Sequence, residues 1–451
     1  MSGNIPVEKN KEYRLQITGI TAEGAGVGKI DGFAVFVAGA VLWEEVEVRI
    51  IKITAGYAFG KLLRVLTASP YRQEADCPYA KRCGGCVFRH VTYEGQLLLK
   101  HKIVEDAIRR LGGAAGAEIQ PVLPSPATER YRNKSAFPCG RAENGIVFGF
   151  FAPRSHTLIP LEDCLLESKK SIECMQAIRA WAERYRIPAY DEKTGRGVLR
   201  HVVMRETSSG KIMCTVVASG QPQRVKELKE YLNGTDSLYW NINSRNTNVI
   251  FGDTFIHIAG EAYITETILQ NRFRVSPPTF LQVNHAQTER LYSLALDLLQ
   301  PQKTETALDL YCGMGSITLT LAQAVKSVVG IECVPEAIED AKVNARENGI
   351  TNTSFLCGNA EDILPDYCKT HSPDIMVMDP PRKGCDPLVL SAIRSTGIRR
   401  LVYISCNPAT LARDLKLLCA DDRFTLQTIQ PVDMFPHTGH VETVCLLTKN
   451  K

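Results

Sequence analysis

From about residue 290 onward, short β-branched runs alternate with amphipathic stretches, and that rhythm leaves few folds open to the chain. Strands are expected near Ala307–Tyr311, Ser327–Glu332, Thr353–Leu356, Ile375–Asp379 and Leu401–Cys406. Helices fall between them near Ser316–Val325, Pro335–Asn348, Leu388–Arg394 and Ala409–Cys419. Phe424–Ile429 and Val441–Leu447 close the chain as a strand pair. Parallel strands need crossovers of this length, so the pattern predicts a doubly wound, Rossmann-like α/β sheet. Such sheets bind and react beyond the carboxyl ends of their strands, which is where the chemistry should lie.

Three of those strand ends carry functional groups. Leu308-Asp309-Leu310-Tyr311-Cys312-Gly313-Met314-Gly315-Ser316 ends a strand in a glycine turn that opens a helix. Gly313 and Gly315 allow close backbone approach to a ligand, but the third glycine of a dinucleotide fingerprint is missing. Glu332, at the end of the next strand, can accept two hydrogen bonds from ribose hydroxyls. A nucleoside cofactor without a pyrophosphate points to S-adenosylmethionine. Val377-Met378-Asp379-Pro380-Pro381-Arg382 ends in an acid, and Val402 to Pro408 stops at Cys406 before Asn-Pro. Methyltransferases that act on exocyclic amines place an aromatic residue after Pro-Pro; here Arg382 stands there. A ring-carbon target with Cys406 as nucleophile fits better.

The rest of the 451 residues must form further domains, since one core rarely grows so large. Residues 12–66 read as an all-β, OB-like barrel of five strands, a type that often holds nucleic acid. Tyr93 to Leu111 reads as a helix ended by Gly112-Gly113, and a second helix is expected near Ser171–Arg184 among mixed strands. The longest apolar run, Phe33 to Trp43, is too short to span a bilayer, and the opening residues lack a secretory pattern. A cytoplasmic enzyme is expected, with no membrane partner. Residues 1–299 carry 38 Lys/Arg against 31 Asp/Glu (+7), and residues 300–451 carry 15 against 18 (−3). A basic front half permits a polyanionic partner. Arg130, Arg132 and Lys134 surround Tyr131, a composition suited to phosphate contact with base stacking; a solvated strand face is the alternative.

Fifteen cysteines, an odd number, argue against a disulfide framework. Cys77, Cys83 and Cys86 give C-x5-C-x2-C, with Cys164 a plausible distant fourth ligand. The single C-x2-C knuckle suits an iron–sulfur cube better than a zinc ribbon, which remains the alternative.

Together these motifs resemble the uracil-C5 RNA methyltransferase family over nearly the whole chain. Phe280-Leu281-Gln282-Val283-Asn284, Asp309 to Gly315, Asp379 to Gly384, Ser405-Cys406-Asn407-Pro408 and His440-Val441-Glu442 stand in the family's order. The resemblance implies a TRAM domain over residues 1–66, a central α+β iron–sulfur domain over 67–270 and a methyltransferase domain over 271–451. The helix of residues 93–111 could pack on the last of these. It implies a [4Fe-4S] cluster on Cys77, Cys83, Cys86 and Cys164, and cofactor contacts from Gln282, Tyr311, Glu332 and Asp379. It also implies Cys406 as nucleophile and Glu442 as general base. Phe280 could stack on neighbouring bases, or be an ordinary core residue. Arg382 could face the uracil oxygen or a phosphate. Cluster-bearing members act chiefly on ribosomal RNA, so a monomeric enzyme making 5-methyluridine in 23S rRNA is expected. The same chemistry on tRNA, and a non-catalytic RNA-binding or ribosome assembly factor, are the alternatives.

Overall fold

A computed structural model describes residues 5–112, 117–143 and 145–450. Gly113 and residues 1–4, to which parts of the helix-end and barrel expectations apply, lie outside the described residues. The barrel closes from β1 (Glu12–Ile20), β2 (Ala25–Ile30), β3 (Phe33–Ala38), β4 (Glu45–Ile53) and β5 (Tyr57–Thr67), in the order β1-β2-β3-β5-β4. Strict alternation drives the closure. Val35, Val37, Val46, Val48 and Ile50 point inward and are fully enclosed, while their neighbours face out. Closing the sheet removes its edges.

After the barrel comes α1 (Tyr93–Leu111), which begins where the Thr92 side chain accepts from the Gly95 N–H at 3.3 Å. It ends at Gly112, whose N–H reaches the Ile108 carbonyl. The central region is more ordered than its sequence suggests. Strands β6 (Lys134–Ala142), β7 (Gly145–Phe151), β8 (Leu158–Pro160), β9 (Leu199–Glu206), β10 (Ile212–Ala218), β11 (Ser237–Ile242) and β12 (Thr254–Gly260) form one sheet, in the order β12-β11-β10-β9-β6-β7-β8. Helices α2 (Lys169–Arg184) and α3 (Val225–Tyr231) belong to the same unit. Its core buries Phe137, Met175, Trp181 and Trp240.

A hairpin of β13 (Ile264–Ile268) and β14 (Asn271–Val275) leads through α4 (His285–Leu299) into the catalytic sheet. There β15 (Thr306–Leu310), α5 (Ser316–Ala322), β16 (Ser327–Glu332), α6 (Pro335–Glu347), β17 (Thr353–Cys357), α7 (Ala360–Thr370), β18 (Ile375–Met378), α8 (Pro387–Ser395), β19 (Arg400–Ser405) and α9 (Pro408–Leu418) alternate. Two antiparallel strands, β20 (Phe424–Val432) and β21 (Glu442–Lys449), complete the order β17-β16-β15-β18-β19-β21-β20. Strand order reverses between β15 and β18, so a crevice opens there at the carboxyl ends. The buried face of α1, with Ile103, Val104 and Ile108, packs against Leu411, Ala412 and Leu415 of α9. Among the described residues no helix is long and apolar enough to cross a membrane.

Candidate active site

A crevice of about 1130 Å³ lies over the switch point. Gln282, Tyr311, Gly313, Glu332, Asp379, Cys406 and Glu442 all line it, as do Phe280 and Arg382. Gly315 does not; it begins α5 at φ 85°, where an added Cβ would press on Leu319 and Ala341. Gly313 sits at φ 53° with nothing within 4 Å of where its Cβ would be, so its backbone is bare to a ligand. The Gly313 N–H donates to Glu332 Oε2 at 3.1 Å, and the N–H groups of Cys333 and Val334 donate to Oε1 at 2.8 and 3.0 Å. Three backbone donors therefore fix this carboxylate at the crevice wall.

Cys406 and Glu442 come together through strand register. β19 pairs antiparallel with β21, with Ser405 opposite Thr443. The residues that follow this pair, Cys406 in the bend after β19 and Glu442 at the start of β21, line the same crevice, and the Glu442 charge acts on the Cys406 thiol. Glu442 is 2% exposed, and its Oε2 has no hydrogen-bond partner among the described residues. Burial raises its proton affinity, the Asp379 charge adds to the effect, and Arg382 opposes it. Burial likewise raises Asp379. The Cys406 thiol is pushed up to about 11, first by burial and then by the Glu442 and Asp379 carboxylates, with Arg382 acting the other way. The site thus gathers a thiol and two acids whose proton affinities are all raised by burial.

Phe280 is 72% exposed at the crevice rim, which rules out the ordinary core reading. Arg382 is held by its backbone: its carbonyl accepts from Asn407 Nδ2 and Thr410 Oγ1, each at 3.2 Å. The basic side chains of the stretch at 130–134 are half-buried. Arg130 pairs with Asp163 at 2.6 Å and donates to the carbonyls of Cys164 and Glu167. Tyr131 is buried and donates to the Pro436 carbonyl. Arg132 lines an inner cavity beside Glu167, and Lys134 is pushed down to about 8 by burial and by Arg205. Arg130 and Arg132 thus lean on protein carboxylates while staying partly exposed, and Lys134 has no acidic partner among the described residues. The stretch also acts as a strap, because Asn133 donates to the carbonyls of Val283 and Gln282.

Sequence reading missed Phe251, Asp253 and Phe255, which reach the crevice from the loop between β11 and β12 and from β12 itself. No local pattern marks them, since only the packing of the central sheet brings them over. It also missed Asp309, which is fully buried and accepts from Thr318 Oγ1 at 2.5 Å. Burial pushes Asp309 up to about 7.

The second cavity, of about 210 Å³, is lined by Cys77, Cys83, Cys86 and Cys164. All four are free thiols. Burial pushes Cys86 up to about 12 and Cys164 up to about 11, and the charges of neighbouring thiols add to this. Among the described residues no three Cys, His, Asp or Glu side chains converge tightly enough to hold one metal ion. A zinc ion needs its sulfurs about 2.3 Å from a single point.

Known proteins bear on this geometry. The family model described as tRNA (uracil-5-)-methyltransferase matches residues 92–450, and a TRAM domain model matches residues 6–63. A protein of Clostridium tetani, named an uncharacterized RNA methyltransferase, is 42% identical over 99% of this chain and 98% of its own length. One of Bacillus cereus with the same name is 42% identical over 98% of each. The crystal structure of Pyrococcus abyssi tRNA (uracil-54, C5)-methyltransferase in complex with S-adenosyl-L-homocysteine matches with a TM-score of 0.79 at 27% identity, covering 96% of this chain and 99% of that one. A crevice at the switch point, a thiol and an acid that share it, and agreement along almost the full length lead to one conclusion: the chain belongs to the tRNA (uracil-5-)-methyltransferase family and carries a TRAM domain.

Proposed function

We propose that the protein methylates C5 of a uridine in RNA through a covalent bond between Cys406 and C6 of the ring. The observation that carries this reading is the pairing of β19 and β21, which brings Cys406 and Glu442 into one crevice. Carbon 5 of uracil is a poor nucleophile until a thiolate adds to C6 and sends the ring electrons toward O4 and C5. Cys406 forms that sulfur–carbon bond after losing its proton to a neighbouring carboxylate. Bound S-adenosylmethionine supplies the methyl group, and Gln282, Tyr311, Glu332 and Asp379 would hold it. Glu442 then takes the C5 proton, the ring double bond re-forms, and the Cys406 sulfur leaves. A carboxyl group with raised proton affinity suits a base that must work near neutral pH. C6 is shielded in a stacked helix, so the uridine must be flipped or unpaired, with Phe280 at the rim to fill the gap. Arg382 would face the uracil oxygen or an adjoining phosphate.

The resemblance assigns the four cysteines to a [4Fe-4S] cluster, and their gathering around one cavity supports that reading. Burial raises the proton affinity of Cys83, Cys86 and Cys164, so ionising them together would be costly without a bound cation. Brown protein with iron and visible absorbance supports this, and colourless zinc-bearing protein rejects it. The substrate we propose is 23S rRNA, on the resemblance to cluster-bearing members. Comparing methyl marks on 23S rRNA and tRNA in a strain lacking the gene tests that choice. Cys406→Ala should abolish 5-methyluridine, read by nucleoside mass spectrometry, while RNA binding persists. Undiminished methylation in that variant would reject the covalent route.

A further inference from the structure

Three carboxyl groups gather at the switch point with little positive charge to balance them. Asp309 lies opposite Val377 in the parallel β15–β18 pair, and Asp379 stands two residues beyond Val377, on the same face. The Asp379 N–H extends that ladder by donating to the Leu310 carbonyl at 3.3 Å. Glu442 lines the crevice with Asp379, and the Asp379 charge acts on it. Asp309 is 1% exposed and Glu442 2%, whereas Asp379 opens partly onto the crevice. Among the described residues no lysine or arginine forms an ion pair with any of the three. Arg382 favours the charged form of Glu442 from the loop after β18, and Lys383 lines the crevice beside it. The remaining neighbours supply no balance. Tyr292 of α4 is an enclosed phenol, burial disfavours the charged forms of Cys406 and His440, and the Glu332 charge further disfavours an ionised Asp309.

Buried acids so placed cannot all ionise, and they share protons at neutral pH. Glu442 Oε2, enclosed and without a hydrogen-bond partner among the described residues, leaves one carboxyl oxygen free to meet a ligand in the crevice. S-adenosylmethionine brings a positive sulfonium, whereas the thioether left after methyl transfer is neutral. A cation set beside a protonated carboxyl lowers its proton affinity. We propose that Asp309, Asp379 and Glu442 discriminate the methyl donor from its product by charge, releasing a proton to water as the sulfonium binds and recovering proton affinity once the methyl group has left the sulfur. Asp309, which does not line the crevice, acts through Asp379 as a positioning residue. With the donor bound, Glu442 is a carboxylate ready to accept a proton. After methyl transfer the neutral sulfur no longer opposes protonation, so Glu442 holds the C5 proton and the product binds more weakly than the donor. This rests on the RNA methyltransferase reading above.

The test is isothermal titration calorimetry of the full chain with S-adenosylmethionine and, separately, S-adenosylhomocysteine, in phosphate and in Tris buffer. The buffers differ in ionisation enthalpy, so the difference in heat counts the protons released per ligand bound. The donor should release roughly half to one proton near neutral pH, and the product clearly fewer. Because donor binding releases a proton, its affinity rises with pH. The ratio of donor to product affinity should climb about tenfold between pH of about 6 and about 7.5, below the range where α-amino groups titrate. Glu442→Gln cannot ionise there and should lower the donor's proton count. Asp309→Asn, as a second variant, should move the climb to lower pH, a change that loss of structure alone would not produce. Equal proton counts for donor and product, or an affinity ratio that stays flat with pH, would overturn the proposal. Absence of any donor binding would instead reject the methyltransferase reading itself, so the two failures are distinguishable.

Discussion

At the residue scale, the chemistry turns on how the crevice sets proton affinities. Cys406 is a thiol, not a thiolate, at neutral pH, because burial and two nearby acids all disfavour its charge. Its alkylation by iodoacetamide should therefore climb as pH rises toward about 11. Replacing Glu442 by Gln removes one of the negative charges that hold the thiol up. The Cys406 ionisation should then fall to lower pH, and alkylation at pH of about 9 should quicken. A rate no faster in that variant would show that the two groups do not sense each other. With RNA and S-adenosylmethionine present, Glu442→Gln should instead accumulate a methylated protein–RNA adduct, because the C5 proton stays in place and the sulfur cannot leave. A denaturing gel shift that requires Cys406 checks it.

At the scale of elements, helix α1 is the clamp on the loop that leads to Glu442, the proposed base. Lys100, fully buried, donates to Asp433 Oδ1 at 2.5 Å and to the Phe435 carbonyl at 2.8 Å. The Gln96 side chain accepts from the His437 N–H at 2.8 Å, and the Phe88 N–H donates to the His437 carbonyl at 3.0 Å. This loop runs straight into β21 and Glu442. Removing one member of a buried ion pair leaves the other uncompensated, which costs about 3–5 kcal/mol. Lys100→Met should therefore lower the urea midpoint of unfolding, and adding Asp433→Leu should restore much of it. A Lys100→Met midpoint equal to wild type would show that the pair is not enclosed. The element was legible from the apolar spacing of Leu97, Leu98, Ile103, Ala107 and Ile108, although Leu98 proves exposed, but its clamping role was not, since the partners lie more than 300 residues away.

At the scale of the whole molecule, the cysteine loop, the strap at 130–134 and the catalytic crevice are joined by hydrogen bonds from Phe88 and Asn133. Loss of the proposed cluster should therefore be felt beyond its own cavity. Cys83→Ser or Cys164→Ser should lower the iron content and open residues 77–86 to protease, and mass spectrometry of the fragments would read this out. Full iron content in both variants would reject the ligand set. The alternation of β-branched runs and amphipathic stretches by itself determined the doubly wound sheet and its strand ends, because the periods of strand and helix are local properties. It also marked the barrel, where inward and outward residues alternate. Helix α7 escaped notice because Pro365 stands inside it, and the seven-stranded central sheet because its strands pair out of sequence order. Only tertiary structure decided that Arg130 pairs with Asp163 while Phe280 stands out, and that Cys406 and Glu442 share one crevice. Those outcomes depend on burial and register between segments distant in the chain, and no local pattern encodes the energy of a contact whose partner lies far away in sequence.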